Sequence, residues 1–125
     1  MDEWNTTHHT DSGLLERVRN TTVDMKEAER RTMVFLHPHT IPRNNVLCGN
    51  SICQDRMFLR KYMPTLINHL HYRMIDVSSI KELVRRWYPA ELQAPKKRNT
   101  HLALDDIRES IEELRFYQEK VFIKR

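Results

Sequence analysis

Three acid and histidine positions in this chain could do chemistry together: Asp55, His101 and Asp106. Asp55 follows the short apolar run Val46-Leu47-Cys48 and the turn pair Gly49-Asn50, at the start of a stretch with helical spacing. Such a position lies at a strand end, where ligands of α/β sheets gather. An aspartate in a first helical turn also simply favours the helix dipole, and position alone does not separate the two roles. His101 and Asp106 stand near the start of a long helical pattern. Their separation turns roughly 140° around a helix at about 100° per residue, so they share a site only if His101 lies in the entry to the helix. Asp105 and Asp106 are adjacent acids in that first turn. Carboxylates of this kind suit a hard cation such as Mg²⁺, which takes few protein ligands and shares its shell with substrate phosphates.

Other chemistries fit less well. His8, His9, His37 and His39, or Cys48 and Cys53, lack the matched pairs of a tetrahedral zinc site. The two cysteines form no CxxC pair and follow no signal-like apolar stretch, so reduced thiols in the cytoplasm are the expectation, without thiol catalysis. Trp4, Tyr72 and Trp87 could stack on bases. Trp87 falls on the apolar stripe of a helix and is expected in the core, whereas Trp4 sits among polar residues.

The elements that would hold these residues follow from spacing and punctuation. Leu14, Leu15 and Val18 share one helical face, and Asp24 caps a second helix that His37-Pro38 ends. Val46–Cys48 and Tyr72–Val77 are predicted strands, with helices from Gln54 to Met63 and on from Pro64 between them. Ser78 is expected to cap the next helix, whose apolar face is Ile80, Leu83, Val84 and Trp87. A basic loop with Lys96-Lys97-Arg98 precedes the last helix, opened by Thr100, with Leu104, Ile107, Ile111, Leu114 and Tyr117 facing inward. The order β-α-β-α over 46–88 predicts a parallel sheet covered by helices, and two strands are few for a sheet that stands alone.

The 125 residues suit a single domain, and 39% hydrophobic content supports a core. Charged residues make up 30%, mixed in sign, which argues against disorder. A net charge of +4 is compatible with a phosphate-bearing partner without requiring one. No run approaches the roughly 18 apolar residues of a membrane span.

Three segments stand out together: CGNSICQDRMFLRKYMP at 48–64, HYRMIDVSSIKELVRRW at 71–87 and THLALDDIRESIEELRFY at 100–117. In this order and spacing they resemble oligoribonuclease, of the DEDD superfamily of 3′→5′ exonucleases. The opening MDEWNTTHHTDSGLLERV is similar too, and the resemblance is weakest from His37 to Asn45. It implies an α/β ribonuclease-H-like exonuclease fold, here helix-dominated with about two strands, residues 1–125 forming the C-terminal two-thirds of one exonuclease domain. It implies a homodimer that uses two divalent cations, Mg²⁺ or Mn²⁺, to degrade short single-stranded RNA, dinucleotides especially, in the cytoplasm and away from membranes. By the same resemblance Asp55 and Asp106 are metal-binding acids and His101 is the general base. Trp4 stacks on a substrate base, Ser51 lies near the substrate, and Arg73, Ser78 and Ser79 grip a 5′-terminal phosphate. His9 and Tyr72 reach the partner protomer's site. The family's first two acids lie in a D-x-E strand that these 125 residues do not contain, and Asp2-Glu3 cannot replace it because adjacent strand residues point to opposite faces. The chain alone is therefore expected to be impaired and poorly stable. The alternative is a non-catalytic remnant serving dimerisation or nucleotide binding.

Overall fold

The computed structural model describes residues 13–98 and 102–124. Helix α1 spans Leu14–Asn20 and α2 Met25–Leu36. Asp24 caps α2 as its type predicts, its carboxylate accepting from the Glu27 N–H at 2.8 Å. Glu27 in turn binds Arg30 and Arg31, and their guanidinium groups hold its carboxyl down to about 2. Pro38 diverts the chain into a single 3₁₀ turn over His37–His39.

Strand β1 is Leu47–Gly49, followed by α3, Ile52–Tyr62, and α4, Pro64–His69. Met63-Pro64 breaks one helix from the next, with the proline in the first turn of α4, where its missing N–H costs nothing. That N-terminus is also met by the Glu29 carboxylate of α2, which accepts from the Leu66 N–H at 3.2 Å. Strand β2 is Met74–Asp76 and runs straight into α5, Val77–Trp87. The two strands pair in parallel, Leu47 with Met74, Cys48 with Ile75 and Gly49 with Asp76. A parallel pair needs a crossover, and α3 and α4 supply it. A Cβ on Gly49 would come within 2.9 Å of Ile52 Cδ1, so this glycine lets α3 turn back closely over β1. A 3₁₀ turn at Ala90–Leu92 leads to the final helix α6, Ala103–Lys120.

The core is small. Val77, Val84 and Tyr117 are its buried centre, flanked by Ile80, Leu114 and Phe116, where α5 packs on α6. Ile52, Leu66 and Ile67 are buried on α3 and α4.

Several sequence expectations change. The strand forecast over Tyr72–Val77 shortens to three residues, and Asp76 rather than Ser78 is the N-cap of α5, its carboxylate accepting from the Ser78 N–H at 2.9 Å. Trp87 is 71% exposed, because α5 is covered only along the line of Val77 and Val84. Helix α6 begins after Leu102, so Thr100 is not its N-cap and lies outside the described residues. Its buried face is Glu109, Glu113 and Tyr117, whereas Leu104, Ile107 and Ile111 are exposed. The basic loop explains the buried acids: Lys97 Nζ lies 2.9 Å from Glu113, and the Arg98 N–H donates to Glu109 at 3.0 Å.

Candidate active site

A cleft of about 870 Å³ runs along β1, the first turn of α3 and most of the length of α6. Asp55 and Asp106 both line it. Each sits in the first turn of its helix, Asp55 on α3 and Asp106 on α6, where the positive end of the helix dipole favours a carboxylate. The cleft also has apolar residues in its wall, Ile52, Val77, Ile107 and Ile111, and both carboxylates are exposed to solvent. Two carboxylates from different helices at a strand end offer hard oxygen ligands to a divalent cation. Among the described residues no group of three His, Cys, Asp or Glu side chains gathers at ligand distance.

His101, Trp4 and His9 lie outside the described residues.

The remaining predicted contacts divide into two groups. Ser51 and Ser78 meet at the C-terminal ends of the strands. The Ser51 N–H donates to Asp76 Oδ1 at 3.0 Å and to Ser78 Oγ at 3.1 Å. Ser51 reaches this position with a left-handed backbone, φ 52°, which points its N–H across to β2. Arg73 lies elsewhere, its guanidinium 5.3 Å from the centre of the exposed Tyr72 ring, which stacks on His71 at 4.5 Å. Ser79 is exposed in the first turn of α5.

Sequence reasoning missed the residue that joins the two regions. Asn50 lines the cleft of the two aspartates. Its Oδ1 accepts from the Ser78 hydroxyl at 2.9 Å and its Nδ2 donates to Ser110 Oγ at 2.8 Å. Ser110 is one turn beyond Asp106 on α6, so a single amide ties the serine pair to the helix that carries the second acid. Gly49-Asn50 was read only as a turn signal, and nothing in local sequence marks a contact sixty residues away. Cys48 also lines the cleft. Desolvation and then the Asp76 carboxylate push its thiol up, which disfavours the thiolate.

Comparison with known proteins is consistent with this arrangement. The exonuclease family model RNase_T matches residues 1–114. The oligoribonuclease of Pseudomonas syringae pv. syringae is 60% identical over 124 residues, covering 99% of this chain and 68% of that protein. The oligoribonuclease of Hydrogenovibrio crunogenus is 53% identical over 123 residues, covering 98% and 67% respectively. That of Acinetobacter baylyi is 51% identical over 124 residues, covering 99% of this chain and 68% of that protein. With two acids at a strand end, a helix-covered parallel sheet and identity at this level over almost its whole length, the chain belongs to the oligoribonuclease family of exonucleases.

Proposed function

We propose that the chain serves 3′→5′ hydrolysis of short single-stranded RNA, dinucleotides above all, to mononucleotides. Asp55 and Asp106 are the acids that hold divalent cations, two Mg²⁺ or Mn²⁺ ions in the full site, and His101 accepts the proton of the attacking water. The observation that carries this reading is the shared cleft of Asp55 and Asp106, with Asn50 between them and the Ser51–Ser78 pair. Bound cations would offset the negative charge that builds on the phosphoryl and leaving oxygens. The chain's own groups do the rest. The two carboxylates position the cations, and a histidine suits proton removal near neutral pH. Arg73, Ser78 and Ser79 grip the 5′-terminal phosphate, a guanidinium fork being suited to two phosphate oxygens, and Ser51 lies near the substrate. Trp4 stacks on a base.

The same reading carries a cytoplasmic homodimer in which His9 and Tyr72 reach the partner subunit's site. The 68% exposure of Tyr72 leaves it available for that contact. Among the described residues no helix is long and apolar enough to cross a membrane.

The test is release of mononucleotide from a 5′-labelled diribonucleotide with Mn²⁺, using the 125-residue chain and a version extended by a family D-x-E segment. The extended form is expected to turn over, and Asp55→Asn, His101→Asn or Asp106→Asn to reduce its rate by about 100-fold or more, since even ångström-scale misplacement of reacting groups has that effect. The chain alone is expected to show little turnover. Undiminished turnover in the Asp106→Asn form would refute the assignment. Binding without turnover in either form would instead favour the non-catalytic remnant.

A further inference from the structure

A second cleft of about 400 Å³ lies between α3, α4 and the segment around His71. It shares no lining residue with the cleft of Asp55 and Asp106. Arg43, Arg56 and Arg60 line it, with Asn68, His71 and Tyr72, and no carboxylate does. Arg30 and Arg31 are paired with Glu27, Arg85 and Arg86 with Glu82, and Arg98 with Glu109, while the three arginines of the cleft have no ion pair among the described residues. Arg56 and Arg60 are one turn apart on α3, where like charges repel unless an anion lies between them.

Arg56 adds an independent observation. Its Nη1 is buried and has no hydrogen-bond partner, and no other buried side-chain nitrogen or oxygen of the described residues is in that state. A guanidinium N–H withdrawn from water without an acceptor is costly, and because Arg56 also lines the cleft, a rotation of its side chain would bring that N–H to an acceptor held there. The opposite wall is fixed in advance. Arg43 adopts φ 60°, and its N–H donates to the His69 carbonyl at 2.7 Å. Thr40 Oγ1 lies 2.7 Å from His69 Nε2, and the His71 N–H donates to the Asn45 carbonyl at 2.9 Å. Little ordering would therefore remain for a ligand to impose.

We infer that this cleft is an anion site that takes a phosphate group, with Arg56 and Arg60 as the fork on α3 and Arg43 as the opposing charge. Guanidinium groups match phosphate oxygens in planar two-point contacts. The volume exceeds that of a bare phosphate, and the exposed Tyr72 ring at the rim offers a surface for an attached base. The shared chemistry is the phosphate, whether free, on a nucleoside monophosphate or within a short RNA. The three arginines of the site are none of those assigned to hydrolysis, and only Tyr72 at its rim is shared with the contact proposed to the partner subunit's site.

The test follows arginine Nε–H resonances of the full chain by NMR, in chelator, at constant ionic strength. Inorganic phosphate, a nucleoside 5′-monophosphate and a diribonucleotide lacking a terminal phosphate are the three ligands. Saturable shifts at Arg56 and Arg60 are expected with inorganic phosphate. The exposed pair Arg43→Gln with Arg60→Gln, which leaves the buried core untouched, is expected to weaken binding by about 10-fold or more, as loss of charge-assisted two-point contacts implies. Arg56→Lys keeps charge and loses the fork, and should weaken it as well, while Arg86→Gln, on α5 and paired with Glu82, should not. Tighter binding of the monophosphate than of inorganic phosphate would assign the nucleotide as the source, and equal binding the bare anion. Preference for the diribonucleotide would assign the internal phosphodiester. Absence of saturable shifts, equal shifts with chloride, or unchanged binding in the double variant would overturn the proposal.

Discussion

Ser51 and Ser78, 27 residues apart, meet across two strand ends through a 3.1 Å hydrogen bond from the Ser51 N–H to Ser78 Oγ. The same N–H is shared with the Asp76 carboxylate, which also caps α5. One acid thus starts a helix and fixes the relative position of two serines that the family resemblance assigns to substrate.

Replacing Ser78 by alanine removes one of the two acceptors of the Ser51 N–H and the donor to Asn50 while leaving the Asp76 cap intact. A loss of about 1 kcal/mol in unfolding free energy is expected, the net worth of a typical hydrogen bond. Turnover in the D-x-E-extended form should fall more for a 5′-phosphorylated dinucleotide than for one without that phosphate. Equal loss on both substrates would mean that Ser78 acts only on the fold.

Glu113 is buried between Lys97 and the Tyr117 hydroxyl, which donates to it at 3.1 Å. Lys97→Ala leaves that carboxylate with one partner. The expected destabilisation is about 1–2 kcal/mol, less than for a wholly buried pair because the Lys97 side chain is partly exposed. Adding Glu113→Gln to Lys97→Ala should recover part of it, since the amide still accepts from Tyr117 and carries no charge. Urea unfolding of the three forms measures this, and a Lys97→Ala form as stable as the parent would contradict it.

Burial, and then the neighbouring Glu113, raise the Tyr117 phenol well above its usual range. A raised acid favours the neutral form in the fold, so its contribution is complete below the unfolded value near 10 and is lost as pH climbs beyond it. Stability is therefore expected to drop in alkali above pH of about 10. An ultraviolet titration should show a late phenolate phase that disappears in Tyr117→Phe. Persistence of that phase in the variant would reassign it.

Much of this fold is readable because its signals are local. Asp24, Pro38, Pro64 and the β-α-β-α order act through their own backbone neighbourhoods, and the elements appear where they point. Asp55 was legible as an acid after a strand, and its meeting with Asp106 followed from the family resemblance rather than from spacing. The misreadings come from side chains whose fate is set by distant partners. Glu109 and Glu113 look like solvent-facing acids and are buried by Lys97 and Arg98, while the apolar line Leu104-Ile107-Ile111 looks like a core face and is exposed. Asn50 and Arg56 carried no local signal, because their significance lies in Ser110 on α6 and in two other arginines.

Ile107 and Ile111 on the cleft wall are 56% and 47% exposed. An apolar wall of this kind invites cover, so the isolated chain should enhance the fluorescence of an apolar dye and self-associate. Ile107→Ser with Ile111→Ser should reduce the dye signal without loss of helix content by circular dichroism, because neither side chain belongs to the Val77–Val84–Tyr117 core. A parent chain that is monomeric and silent towards the dye would refute this.

The parallel pairing of β1 and β2 has a kinetic consequence. Partners such as Leu47 and Met74 cannot nucleate as a hairpin, since the chain between them must first be taken up by α3 and α4. The strands are only three residues long, so pairing returns few hydrogen bonds for that closure. Sheet formation therefore falls late in folding, after the helices have drawn the strand ends together. Ser51, Ser78 and Asn50 acquire their shared geometry at that same late step, and substitutions among them should speed unfolding more than they slow refolding.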